Sequence, residues 1–211
     1  TDRGVVFDGK RPADITPEQM SANDVVRRQR ASQLLNQGVL QTGEDFHDAA
    51  FIFQHGDKAE DYLLAHVLAM LAVSKGNPDG RWIAAATLDR YLQTIGQPQV
   101  FGTQYAERGY MEFLDQARKQ AALNSKTQSD GKSAAQPAGQ ASQSSPSAVA
   151  RNDRESKKQD EYLQEPYNYS LIPDSLRAQY CVPPIADQKA RVSELNGGKP
   201  APRKPLPGCS K

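Results

Sequence analysis

Large apolar side chains are scarce in this sequence. Hydrophobic residues make up 37% of the 211 positions, and mean hydropathy is −0.71. At that level part of the chain cannot bury itself. No run of eighteen apolar residues occurs, so no segment is expected to span a membrane as a helix. The longest apolar block, Tyr62 to Val73, is interrupted by His66. An excess of charge of one sign is lacking too. The net charge of +1 gives no basic footprint for nucleic acid. Residues 1–120 carry 13 Lys and Arg against 16 Asp and Glu, and residues 121–211 carry 13 against 9. Both imbalances are mild and read as solubility. No serine-nucleophile motif, glycine-rich phosphate loop or paired-acid motif is present, which argues against the standard enzyme classes. The spacing of His47, His55 and His66 fits no zinc pattern, and nothing calls for a cofactor.

Cysteine is limited to Cys181 and Cys209. Two thiols make a poor metal site. They fit either a single disulfide, which favours an exported protein, or two separate thiols. The first residue is Thr1, as expected of a processed chain or a fragment. Together these features lead us to expect a periplasmic or secreted location.

What is present is helical punctuation. Residues 1–15 read as an arm, and residues 16–120 as a helical domain. Ser21 with Asp24, Thr42 with Asp45, Asp57 with Glu60, and Asn77 before Pro78 each predict a helix start. The helices are expected to end at Gly38, Gly56, Gly76 and Gly96. Short connections between them imply antiparallel hairpins. The third helix is apolar nearly all round and is expected to be buried at the centre of the bundle. A fifth helix is expected over residues 105–120, weakened by Gly109. Residues 121–160, rich in Ser, Gln and Ala, read as a disordered linker. Residues 161–197 read as a short helical segment, with helices over Pro173–Tyr180 and Pro184–Asn196, that docks on the first domain. Residues 198–211 read as an extended tail. The fold class is therefore mainly α, with four to six helices.

The candidate chemistry lies in the third and fourth helices and in the stretch after them, "GQPQVFGTQY". His66 sits in apolar company and needs a hydrogen-bond partner, whether as a core histidine or as a base lining a pocket. Asp89 is at the edge of the fourth helix's apolar arc, with Arg90 about a quarter-turn away. If the two helices pack antiparallel, His66 and Asp89 can meet as a base and its orienting carboxylate. In the loop, Gln99 and Gln104 bring amides, Thr103 a hydroxyl, and Val100, Phe101 and Tyr105 apolar anchors. These groups either satisfy helix ends or converge on a bound polar group.

Gln54-His55-Gly56, Ala65-His66, Trp82, Asp89-Arg90, Gly96-x-Pro98-Gln99 and Gly102-Thr103-Gln104 together resemble a bacterial family of uncharacterised proteins, defined by a domain of unknown function. The resemblance spans about residues 22–106, and "LIPDSLRAQYCVPPIADQKARVSELN" resembles the family's C-terminal end. It implies no activity. It groups His66, Asp89, Arg90, Gln99 and Gln104 as one cluster, to which the loop adds Thr103 and Tyr105. The expectation is a non-catalytic binding or interaction module, with a small polar ligand or a protein partner held at the Gly-Thr-Gln loop. The alternatives are a hydrolase-like enzyme using His66 with Asp89, and a purely structural polar network.

Overall fold

The computed structural model describes residues 16–130, 161–200 and 206–209. The expected N-terminal arm over residues 1–15 lies outside them. Among the described residues the chain is mainly helical: α1 (Pro17–Asn36), α2 (Gly43–Phe53), α3 (Ala59–Ser74), α4 (Gly80–Thr94), α5 (Arg108–Asp130), α6 (Asp174–Gln179) and α7 (Ile185–Leu195). That is one helix more than the upper end of the expected range. The only strands among them are β1 (Ala106–Glu107) and β2 (Tyr162–Leu163). The chain divides into two compact units. One joins the residues up to Gln104 with those from Gln164 onward, and the other is Tyr105–Leu163. The helical domain expected over 16–120 is therefore cut after Gln104.

Local chemistry explains most helix ends. Thr42 caps α2 through a reciprocal box with Asp45. The Thr42 and Gln41 N–H groups hold the exposed Asp45 carboxyl below its usual range. α1 begins earlier than Ser21 because Thr16 and Gln19 form a second capping box. Asp24 therefore lies inside the helix, buried and bonded to Arg27 (2.7 Å). The cap of α3 is Lys58, not Asp57. Of the expected stop glycines, Gly38, Gly76 and Gly96 adopt positive φ, whereas Gly56 does not. Pro173 and Pro184 are the N-caps of α6 and α7.

In the first unit α3 is flanked by α2 and α4. Gly80 approaches α3 so closely that a Cβ there would stand 2.6 Å from the Ala69 carbonyl. His66, one turn earlier on α3, reaches Ala84, one turn later on α4. The two helices are thus antiparallel. Ala65, Leu68, Ala69 and Ala72 of α3 join Phe46, Phe53 and Ile83 in the main core. The expectation that α3 is buried all round is not met. Leu63, Leu64, Val67 and Met70 are 40%, 36%, 54% and 42% exposed. Neither α2 nor α4 covers this side of α3. A smaller core of Ala85, Phe101 and Val182, with Tyr180 and Ile172 packed against it, joins the segment from Gln164 onward to α4 and its following loop. Cys181 and Cys209 are paired as a disulfide, with Cα atoms 5.6 Å apart.

In the second unit β1 pairs antiparallel with β2, Ala106 opposite Leu163. Arg108 donates from its backbone N–H and its guanidinium to Glu161. α5 starts at Arg108, so Gly109 falls in its first turn, where its cost is small. The helix runs to Asp130, ten residues into the expected linker. The remainder of that linker, 131–160, lies outside the described residues.

Candidate functional site

Asp89 is the centre of the polar cluster. It faces inward from α4 and is fully buried. Its Oδ1 accepts from the N–H groups of Val100 (2.8 Å) and Phe101 (3.0 Å). Its Oδ2 accepts from the N–H (2.9 Å) and hydroxyl (2.8 Å) of Thr103. One carboxylate therefore fixes four donors from Val100, Phe101 and Thr103, in a loop that glycine lets turn, with Gly102 at φ +80°.

The loop's other groups are consumed as fully. Gln99, also fully buried, donates from Nε2 to the carbonyls of Gln104 (3.1 Å) and Gln164, and its Oε1 accepts from the Gln104 N–H (3.1 Å). Gln104 donates to Ala86 O (3.1 Å) and Thr103 Oγ1 (2.9 Å). Its Oε1 accepts from Arg90 Nε (2.9 Å), and Arg90 Nη1 reaches Gln54 O (2.5 Å). Arg90, Gln104, Thr103 and Asp89 thus form one continuous relay of hydrogen bonds. Tyr105 falls in the second compact unit rather than in this cluster.

The opposite side of the loop is held by residues that sequence reasoning missed. Phe101 O accepts from Tyr167 Oη (3.0 Å), Gln188 Nε2 (2.9 Å) and Arg177 Nε (3.4 Å). Gln164 Nε2 donates to Gly102 O (2.6 Å) and Gln188 Oε1 (3.2 Å). Arg177 is fully buried, and its remaining donors go to the carbonyls of Ile172, Val100 and Tyr169 and to Asp174 (3.2 Å). Burial raises the Tyr167 hydroxyl above its usual value, partly opposed by the Arg177 charge. The N–H groups of Val100, Phe101 and Thr103 therefore go to α4, and the carbonyls of Val100, Phe101 and Gly102 go to the C-terminal segment. Pattern cannot reveal such a clamp, because its C-terminal jaw lies 62 to 87 residues from the loop carbonyls it holds. An arginine and a glutamine on otherwise half-buried short helices were the only available signal.

His66 stands apart. Its Nδ1 lies 2.9 Å from Ala84 O. A carbonyl only accepts, so Nδ1 carries a proton there. His66 and Asp89 share no hydrogen bond: the Asp89 oxygens accept from the loop, and His66 Nδ1 faces Ala84 O. The base-and-carboxylate pair expected from antiparallel packing does not form, although the packing itself does. The side-chain amides of Gln99 and Gln104 likewise donate within the fold. A surface pocket of about 450 Å³ lies elsewhere, where Gly43, Glu44 and His47 of α2 meet Lys75 and Asn77. Among the described residues no group of three or more His, Cys, Asp or Glu is placed to hold a metal, and no helix is long and apolar enough to cross a membrane.

No family model, curated protein or solved structure matches the chain.

Proposed function

We propose that this chain is a non-catalytic protein-interaction module of an exported bacterial protein, and that it docks its partner on the outward face of α3. The observation that carries the reading is the exposure of Leu63, Leu64, Val67 and Met70 on one side of a single helix. Isolated exposed apolar residues need no explanation, whereas a contiguous stripe marks a contact surface. The saturation of the polar cluster supports the same choice over a small polar ligand, since a ligand at Gln99 or Gln104 would have to break bonds within the fold. The hydrolase alternative loses its His66–Asp89 pair. The disulfide, which fits an oxidising compartment, favours export.

The test is a photo-activated cross-linking amino acid at position 67, compared with the same residue at the exposed position 97, in cells producing the full chain. The expected result is a discrete protein adduct from position 67 and none from position 97. Equal labelling from both, or none from either, refutes the reading. A thermal-shift panel of small polar ligands is expected to give no hit. A ligand that stabilises the parent but not Gln104→Ala would return the site to the loop.

A further inference from the structure

We propose that the occupant of the α3 face is α3 of a second copy of this chain, paired antiparallel about a two-fold axis through Val67. The proposal rests on the reading of that face as a docking surface.

The argument is the symmetry of the stripe. At 3.6 residues per turn, positions 60, 63, 64, 70, 71 and 74 all lie within about 60° of Val67 in projection. The buried positions Ala65, Leu68, Ala69 and Ala72 lie on the other side. Val67 is the most exposed of the four stripe residues. The stripe reads alike in both directions from it. Leu63 and Leu64 stand four and three residues before, and Met70 and Leu71 three and four after, with Leu71 partly buried against the main core. An isologous contact needs this self-complementarity, because each residue must meet its mirror position on the other copy. The axis sets Leu63 against Leu71, and Leu64 against Met70.

Charge agrees with the pairing. Glu60, seven residues before Val67, is brought to Ser74 and Lys75 of the second copy. Among the described residues Glu60 makes no ion pair in its own chain. Lys75 ends the stripe, with its ammonium resting 5.7 Å from the Phe46 ring centroid. Antiparallel helices also set each positive N-terminus beside a negative C-terminus. A parallel pairing would instead bring Glu60 to Glu60 and Lys75 to Lys75. A contact sixteen residues long is about 24 Å by 10 Å, well under the roughly 800 Å² per partner of a standard interface. The expected dimer is therefore weak and dynamic.

Sedimentation velocity on the full, oxidised chain from about 10 μM to about 1 mM tests this. A concentration-dependent monomer–dimer equilibrium is expected. Val67→Asp sets two carboxylates on the axis and is expected to raise the dimer Kd about tenfold or more, with the circular dichroism unchanged. Glu60→Lys is expected to weaken the dimer about two- to fivefold, and adding Lys75→Glu to restore it. Val67→Cys meets itself across the axis, so mild oxidation should give a covalent dimer, whereas Gln97→Cys should not. A monomer at every concentration overturns the proposal. So does a dimer indifferent to Val67→Asp, or a position-67 cross-link into another part of the same chain. If position 67 cross-links to a different protein while the chain sediments as a monomer, this proposal fails and the interaction module stands.

Discussion

Replacing Asp89 by Asn separates an architectural carboxylate from a functional one. The two side chains have the same shape, so packing is conserved and only hydrogen bonding changes. In the parent, four donors converge on the carboxylate. The amide can accept on one side only. Its better orientation keeps the oxygen on Val100 and Phe101 and turns the NH2 toward Thr103. There the hydroxyl can rotate to accept, but the Thr103 N–H faces another donor. One partly buried N–H is thus orphaned, at about 1–3 kcal/mol, and the two remaining bonds lose their charge assistance, at about 0.5 kcal/mol each. The expected loss is about 2–4 kcal/mol, a large share of the 5–15 kcal/mol typical of a folded domain. Denaturant unfolding followed by circular dichroism near neutral pH reads it directly. Amide exchange supplies the local signature, with protection lost first at Val100, Phe101 and Thr103 while α2 and α3 keep theirs. A loss below about 1 kcal/mol, or unchanged exchange at those three amides, would mean that the carboxylate does not hold the loop.

Three further outcomes follow from the same geometry. Gly102→Ala is expected to cost more than Gly76→Ala in parallel unfolding curves. Both glycines have positive φ, but a Cβ at 102 would stand 2.0 Å from Gln188 Oε1 and 2.6 Å from the Tyr167 ring, whereas nothing lies within 4 Å at 76. The expected losses are about 3 kcal/mol or more against about 1–2 kcal/mol, and equal losses would refute the clamp. In an ultraviolet absorbance titration Tyr169 is expected to ionise at about 12, raised by burial and by the hydrogen bond its hydroxyl donates to Glu165. Because the value is raised, its stabilising effect is complete below the unfolded value near 10 and fades as pH rises toward 12. Tyr169→Phe should remove that late step, and a step that persists would reassign it. Breaking the disulfide by Cys181→Ser with Cys209→Ser reopens a loop of 28 residues, so stability is expected to fall by up to about 3–4 kcal/mol in the loop-entropy treatment. A change under about 0.5 kcal/mol would show that the enclosed segment is ordered without it.

The legible parts of this fold are those whose cause lies within a few residues. The Thr42–Asp45 box, the caps at Pro173 and Pro184 and the stops at Gly38, Gly76 and Gly96 are local, and the sequence states them outright. Thr16 with Gln19 is equally local, but Ser21 with Asp24 offers a competing start five residues on. The clamp partners Gln164, Tyr167, Arg177 and Gln188 were not legible, since nothing near Phe101 specifies what approaches its carbonyl from so far along the chain. The expectation for α3 failed for a different reason. A helix apolar all round has the same composition whether its second face is covered by its own chain or left for another.

The polar signature and the apolar stripe therefore ask different questions. Most bonds in the Asp89–Gln99–Gln104 cluster end on backbone, and such bonds set the path of a loop whatever is bound elsewhere. Both amide donors of Gln99 and of Gln104 are taken, and both Asp89 oxygens accept twice. The fold accounts for them without a ligand. The fold does not account for Leu63, Leu64, Val67 and Met70. Full burial of such a side chain is worth about 1.5–3 kcal/mol, so exposures between a third and a half leave about 3–5 kcal/mol per copy unrealised. That is enough to hold a contact. It is too little to overcome the roughly 4–15 kcal/mol of lost freedom on association by a wide margin, even when two copies contribute. A face of that strength suits partners that meet often and part easily. It is where a search for what this chain does begins, ahead of the glutamines that first draw the eye.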